Sequence, residues 1–314
     1  MELLLPFIIF VVSLSVLIKA SDFFTNAAEQ VGLICGMSPF AVGVVIVSIG
    51  TSLPELISSI VAVASDSPEI VAGNVIGSNV ANIFLILGTG AVIGRELSIK
   101  HDLIRVDLPL LLASAFFLAL TCWDGVFTRP EAFLFVAALL VFLLYLLKDG
   151  KGAPTTEGKT EDSKAPFSLK PLAIMLLSAL FVFLGATYTI DSVIAISEIL
   201  KVGKEVVAVS AVALGTSLPE LMVTISAVKK KNSEMIVGNV LGSNIFNTFA
   251  VMGIPGLFAG LEVPENMVST GITTMLIATV LFFGVSQDKH VTRWEGLMFL
   301  LMYIYFIGKI FNLF

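Results

Sequence analysis

The sequence predicts an all-α membrane protein of ten transmembrane helices, built as two inverted five-helix repeats with helices 2, 3, 7 and 8 broken. Three observations predict it. The chain is 57% hydrophobic and only 13% charged, with a mean hydropathy of +1.00, whereas soluble domains carry about 25% charged residues. Runs of about 20 apolar residues, the length that a bilayer core requires, recur along the whole chain. Finally, two unusual polar blocks each occur twice at one offset, which marks an internal duplication.

The apolar spans fall near residues 3–33, 39–64, 69–94, 103–122 and 130–147, then near 169–200, 205–228, 233–260, 267–285 and 294–313. The first span of each half exceeds the bilayer thickness, so it is expected to tilt or to project from the membrane. Met1-Glu2-Leu3 offers no basic n-region and no small-residue cleavage site follows, so no removable signal peptide is expected. Between the halves, Asp149 to Ser168 is rich in Lys, Glu, Asp, Thr, Ser and Gly, holds Pro154 and Pro166, and has no apolar periodicity. It reads as a linker, so residues 1–148 form the first repeat, 149–168 the linker and 169–314 the second repeat.

Basic residues accumulate on the cytoplasmic side of membrane proteins. Counting alternate loops, one face carries thirteen of them, among them Arg95, Lys100, Arg105, Lys230 and Lys289, and the other carries four, Arg129, Lys201, Lys204 and Lys309. This asymmetry places the linker in the cytoplasm and both termini outside the cell. Five helices per half make the second half enter from the opposite side, an inverted repeat of the kind that builds transporters with a site at the midplane. The net charge of −6 carries no footprint of nucleic-acid binding. No protein partner is required; the lipid bilayer is the solvent. Cys35 and Cys122, far apart in apolar context, read as buried free thiols.

The first polar block is Gly50-Thr51-Ser52-Leu53-Pro54-Glu55, repeated without change as Gly215-Thr216-Ser217-Leu218-Pro219-Glu220, 165 positions later. The second is Gly73-Asn74-Val75-Ile76-Gly77-Ser78-Asn79 with Asn82, repeated as Gly238-Asn239-Val240-Leu241-Gly242-Ser243-Asn244 with Asn247 at the same offset. A carboxylate at the centre of a span costs at least roughly 2.5–3.5 kcal/mol, and inverted symmetry brings Glu55 and Glu220 together. Two such carboxylates must share a proton or a cation.

Pro54 and Pro219 lack an N–H and displace the carbonyl four residues earlier, so helix 2 is expected to break over Ser48 to Leu53 and helix 7 likewise, freeing carbonyl oxygens inside the protein. Oxygen ligands without sulfur or imidazole suit hard cations; the two histidines, His101 and His290, read as loop residues. The glycines of the second block permit close packing, while Ser78, Ser243, Asn82 and Asn247 line the pocket with polar groups and the other four asparagines read as helix–helix contacts. Asp22 and Glu29 match Asp191 and Glu198 between the first helices of the two halves, as helix-end or interfacial charges.

At these four blocks the chain resembles the sodium/calcium exchanger branch of the cation/calcium exchanger superfamily in its short prokaryotic form. The resemblance implies a secondary antiporter, with no cofactor and no enzymatic activity, whose partners are the transported calcium and sodium ions, in the cell membrane. It implies calcium binding by Glu55 and Glu220 with the carbonyls of Thr51 and Thr216. It implies sodium sites built from Ser48, Thr51, Ser52, Glu55 and Ser78 and from Ala213, Thr216, Ser217, Glu220 and Ser243, where Ser48 and Ala213 contribute carbonyls. It further implies about three sodium ions exchanged per calcium, and a sliding movement of the two long first helices. Members that cotransport potassium carry Asp where this chain has Asn247. Proton-coupled members carry an acidic residue where it has Gly77 and Gly242. Both differences favour sodium over the alternatives, a calcium/proton antiporter or, in a different class, a passive cation channel.

Overall fold

The computed structural model describes residues 3–149, 169–199, 217–265 and 267–310. Among these residues ten helices follow in order: α1 (Leu4–Ile34), α2 (Pro39–Ala64), α3 (Glu69–Gly94), α4 (Asp107–Cys122), α5 (Arg129–Asp149), α6 (Lys170–Ile199), α7 (Leu218–Lys229), α8 (Ser233–Gly256), α9 (Met267–Ser286) and α10 (Arg293–Ile310). The predicted linker, apart from Asp149, and the first half of the predicted seventh span lie outside the described residues. Local chemistry sets several helix starts. Ser38 caps α2 by accepting from the Ala41 amide, with Pro39 at the first helical position. Thr128 and Glu131 open α5 and Thr292 and Glu295 open α10, each glutamate accepting from the threonine's amide and hydroxyl at 2.6–2.8 Å. These threonine–glutamate pairs use the spacing of the capping box.

Two short antiparallel ladders interrupt the helical plan. β1 (Glu96–Ser98) pairs with β4 (His290–Thr292), and β2 (Val126–Phe127) pairs with β3 (Leu261–Glu262). β1 and β3 hold equivalent places in the two repeats, as do β2 and β4, so each ladder ties one repeat to the other. The α3–α4 and α9–α10 connections share one face and the α4–α5 and α8–α9 connections the opposite one, as inversion demands. His290 therefore lies in a strand and not in a loop, beside Glu96. Cys35 is exposed, contrary to expectation, because it caps the end of α1 where the chain turns; Cys122 is buried and both thiols are free.

α1 and α6 pack along each other as a pair, with Gly185 against the backbone of Leu17 and Thr189 donating to Ser13 at 2.9 Å. Their outer faces expose Phe7, Val12, Leu177 and Leu180 to lipid. At the centre α2 crosses α8 with almost no side chain between the backbones. A Cβ on Gly238 would stand 2.4 Å from the Phe40 carbonyl, and one on Gly242 2.5 Å from the Val44 carbonyl. Neither contact can give way, since both partners are backbone. Gly238→Val is expected to destabilise the protein by about 3 kcal/mol, the upper range for overpacking, read as a lowered unfolding temperature in detergent. An unchanged transition would mean that the crossing is looser than described.

Candidate cation site

The irregular backbone of α2 lies one turn earlier than the proline predicts. Ser48–Ala64 is a continuous α-helix with Pro54 inside it, and the distortion is a π-helical turn over Val42–Val47. Pro54 still leaves the Gly50 carbonyl without its usual donor, but the helix absorbs this without unwinding. Gly50 instead makes room for α1: a Cβ there would stand 2.8 Å from the Phe24 ring. Two further π-turns, Asn82–Leu87 in α3 and Asn247–Met252 in α8, start at the two paired asparagines. Such turns concentrate at functional sites because they release carbonyls from the regular ladder.

Glu55 and Glu220 are each 2% exposed. Their carboxylates lie near enough for each charge to act on the other, and the Thr51 hydroxyl lies within hydrogen-bonding reach of Glu220. Thr51 also donates to the Val47 carbonyl at 3.0 Å. Ser48, Ser52, Ser78, Asn82, Ser217, Ser243 and Asn247 are all buried. The structure thus brings one glutamate block and both asparagine blocks into the same helix crossings, α2 against α3 and α8. Ala213 and Thr216 lie outside the described residues. Ser48 donates to the Val44 carbonyl and Ser243 to Asn239 at 3.4 Å, so both hydroxyls keep lone pairs for another partner.

Five buried oxygens in these blocks have no hydrogen-bond partner: Asn79 Oδ1 at the contact between the repeats and, on the residues read as pocket, Ser52 Oγ, Glu55 Oε2, Glu220 Oε2 and Asn247 Oδ1. An unsatisfied buried polar atom costs about 1–3 kcal/mol, more when charged. Carboxylate, amide and hydroxyl oxygens of this kind suit a hard cation. No group of three His, Cys, Asp or Glu side chains occurs among the described residues, so a soft-metal site finds no ligand set there. A small cavity of about 10 Å³ beside Thr51 and Pro219 is closed by Phe24 from α1 and by Ala179, Val182 and Phe183 from α6. The paired helices therefore form a wall of the site.

Asn74, expected as a helix–helix contact, makes one beside the glutamate: its amide donates to the Glu55 carbonyl at 3.4 Å and to Ser59 at 3.1 Å, tying α3 to α2. Asn79 joins the repeats by donating to Thr248 at 3.1 Å, whereas Asn244 turns back onto its own helix at Val240. An asparagine reads the same in all these roles, and only tertiary placement separates them.

The chain matches the family described as sodium/calcium exchanger protein over residues 5–148 and 170–311. It is 30% identical to the sodium/calcium exchanger MaX1 of Methanosarcina acetivorans, across 97% of this chain and 98% of that one. It is also 30% identical to the inner membrane protein YrbG of Escherichia coli, across 89% and 88%. A structure of the sodium-calcium exchanger NCX_Mj soaked with 2.5 mM Na+ and 1 mM Sr2+ superimposes with a TM-score of 0.84 at 29% identity, over 97% of this chain and 98% of that one. With both halves matched and both pairs of blocks in place, this chain belongs to the sodium/calcium exchanger family.

Proposed function

We propose that the protein is a secondary active antiporter that expels calcium from the cell against inward sodium flow, the two ions competing for Glu55 and Glu220 in alternating access. The single observation that carries this reading is the set of four unpartnered buried oxygens on Ser52, Glu55, Glu220 and Asn247. Calcium takes about 6–8 oxygen ligands; two carboxylates and the carbonyls of Thr51 and Thr216 supply six. Sodium takes the flanking oxygens: Ser48, Thr51, Ser52, Glu55 and Ser78 in one repeat, Ala213, Thr216, Ser217, Glu220 and Ser243 in the other, with Asn82 and Asn247 completing the polar wall. With Asn247 neutral, potassium gains no extra charge to bind. The repeats are residues 1–148 and 169–314, and the antiporter performs no bond chemistry and needs no cofactor.

In reconstituted vesicles, a sodium gradient is expected to drive calcium-45 uptake with or without potassium. Equal uptake driven by a pH gradient in sodium-free buffer would assign the protein to proton coupling instead.

The protein sits in the plasma membrane with both termini outside, a reading supported by the thirteen-to-four basic asymmetry. Single cysteines placed between residues 149 and 168 of a cysteine-free background are expected to react with an impermeant thiol reagent only in inside-out vesicles. Reaction in intact cells would reverse the orientation.

A further inference from the structure

We propose that the turn joining α7 to α8 latches α1 through Asp22 and Glu29, forms the cytoplasmic gate of the exchanger, and biases the empty carrier towards closure on that face. A gate presupposes the antiport reading given above, and the word cytoplasmic presupposes the orientation given with it; the latch itself is geometry.

Ser226 of α7 donates to Asp22 Oδ1 at 2.7 Å, Lys230 Nζ donates to the Asp22 carbonyl at 3.4 Å, and Asn232 donates to Glu29 Oε1 at 2.8 Å. Lys230 is half-buried; burial lowers the pKa of its ammonium from the ordinary value, against the opposing pull of Glu29 and then Asp22. Hydrogen bonds with an ionised donor or acceptor are the strong ones, and this cluster makes three of them between α1 and the end of α7 with its turn. Outside the latch lies a polar cavity of about 350 Å³, lined by Glu29, Lys100, Lys230, Lys231, Asn232 and Glu234.

Inside the latch, two fully buried hydroxyls on the same helices lack partners, Ser21 Oγ next to Asp22 and Thr224 Oγ1 one turn from Glu220. Positions 220 and 224 share a helix face. The unpartnered hydroxyls thus lead from the glutamate towards the latch, as a polar ion route closed at its outer end would.

The duplicated half provides a built-in control. The α2–α3 turn has the same backbone: Asp66 and Lys231, 165 positions apart, both adopt left-handed conformations, with φ of 55° and 56°. Ser67 N–H bonds to the Ala62 carbonyl as Asn232 N–H bonds to that of Ala227. Only the side chains differ. Where the latch has Ser226, Lys230 and Asn232, the other turn has Val61, Ser65 and Ser67, with no cation and no amide. Val61 and Ser65 are exposed there, as is Asp191, the counterpart of Asp22. A symmetric carrier would latch equally in both directions; among the described residues, this one is equipped on one side.

The test gives the latch the side chains of its counterpart. In a cysteine-free background carrying Thr224→Cys as reporter, the triple change Ser226→Val, Lys230→Ser, Asn232→Ser is expected to raise labelling by an impermeant maleimide in inside-out vesicles by about tenfold. An unchanged rate in inserted protein would overturn the gate. A rise confined to right-side-out vesicles would uphold the gate and overturn the orientation. Should the triple variant fail to insert, Asp22→Cys with Ser226→Cys, joined by a short thiol cross-linker cleavable by reductant, takes its place. Exchange is expected to fall at least tenfold on cross-linking and to return on reduction; full exchange in the cross-linked protein would overturn the proposal.

Discussion

Glu55→Gln or Glu220→Gln is expected to lower sodium-driven calcium flux at least ~100-fold while leaving the protein inserted and at least as stable as the parent. Glutamine keeps the shape and removes one charge from a site where both carboxylates are buried. At an effective dielectric of about 20, a divalent ion about 4 Å from a unit charge gains roughly 8 kcal/mol. Desolvation offsets much of this, yet about 3 kcal/mol lost already gives the hundredfold effect. Folding moves the other way, because the change removes the mutual repulsion of two buried carboxylates. Near-parental flux in either variant, measured with calcium-45 in vesicles, would refute the site.

The second large effect is electrical. Asn82 and Asn247 are neutral, so the proposed site holds two formal negative charges, and in the proposed cycle the calcium-loaded carrier crosses without net charge. With about three sodium ions per calcium, the sodium limb carries one positive charge, worth roughly 2.3 kcal/mol per 100 mV. A vesicle interior made 100 mV more negative should therefore shift the equilibrium calcium gradient about 50-fold towards extrusion. A gradient that ignores the imposed potential would mean electroneutral exchange, with two sodium ions per calcium.

Much of this was legible in the chain itself. Ten spans and the duplication followed from hydropathy and from two blocks repeated at one offset, and the observed helices start and end within a few residues of the apolar runs wherever they are described. The glutamates stood out because a carboxylate inside a span is costly enough to need a reason. The π-turns did not, since they arise from a shift of hydrogen-bond partner that no residue pattern encodes; the proline pointed to the right helix and the wrong turn. The ladders escaped because two or three residues show no alternation. Asp22 and Glu29 looked like interfacial charges, and their partners Ser226, Lys230 and Asn232 lie about 200 positions away, a separation that only the packing of α1 on α7 closes.

The central claim is that one pair of carboxylates binds calcium and sodium in mutual exclusion. Equilibrium binding of calcium-45 to the purified protein, titrated with sodium at constant ionic strength, tests it most directly. Sodium is expected to displace calcium competitively and steeply, with binding absent from Glu55→Gln and Glu220→Gln. Calcium binding that persists at saturating sodium, or that survives in either variant, would contradict it.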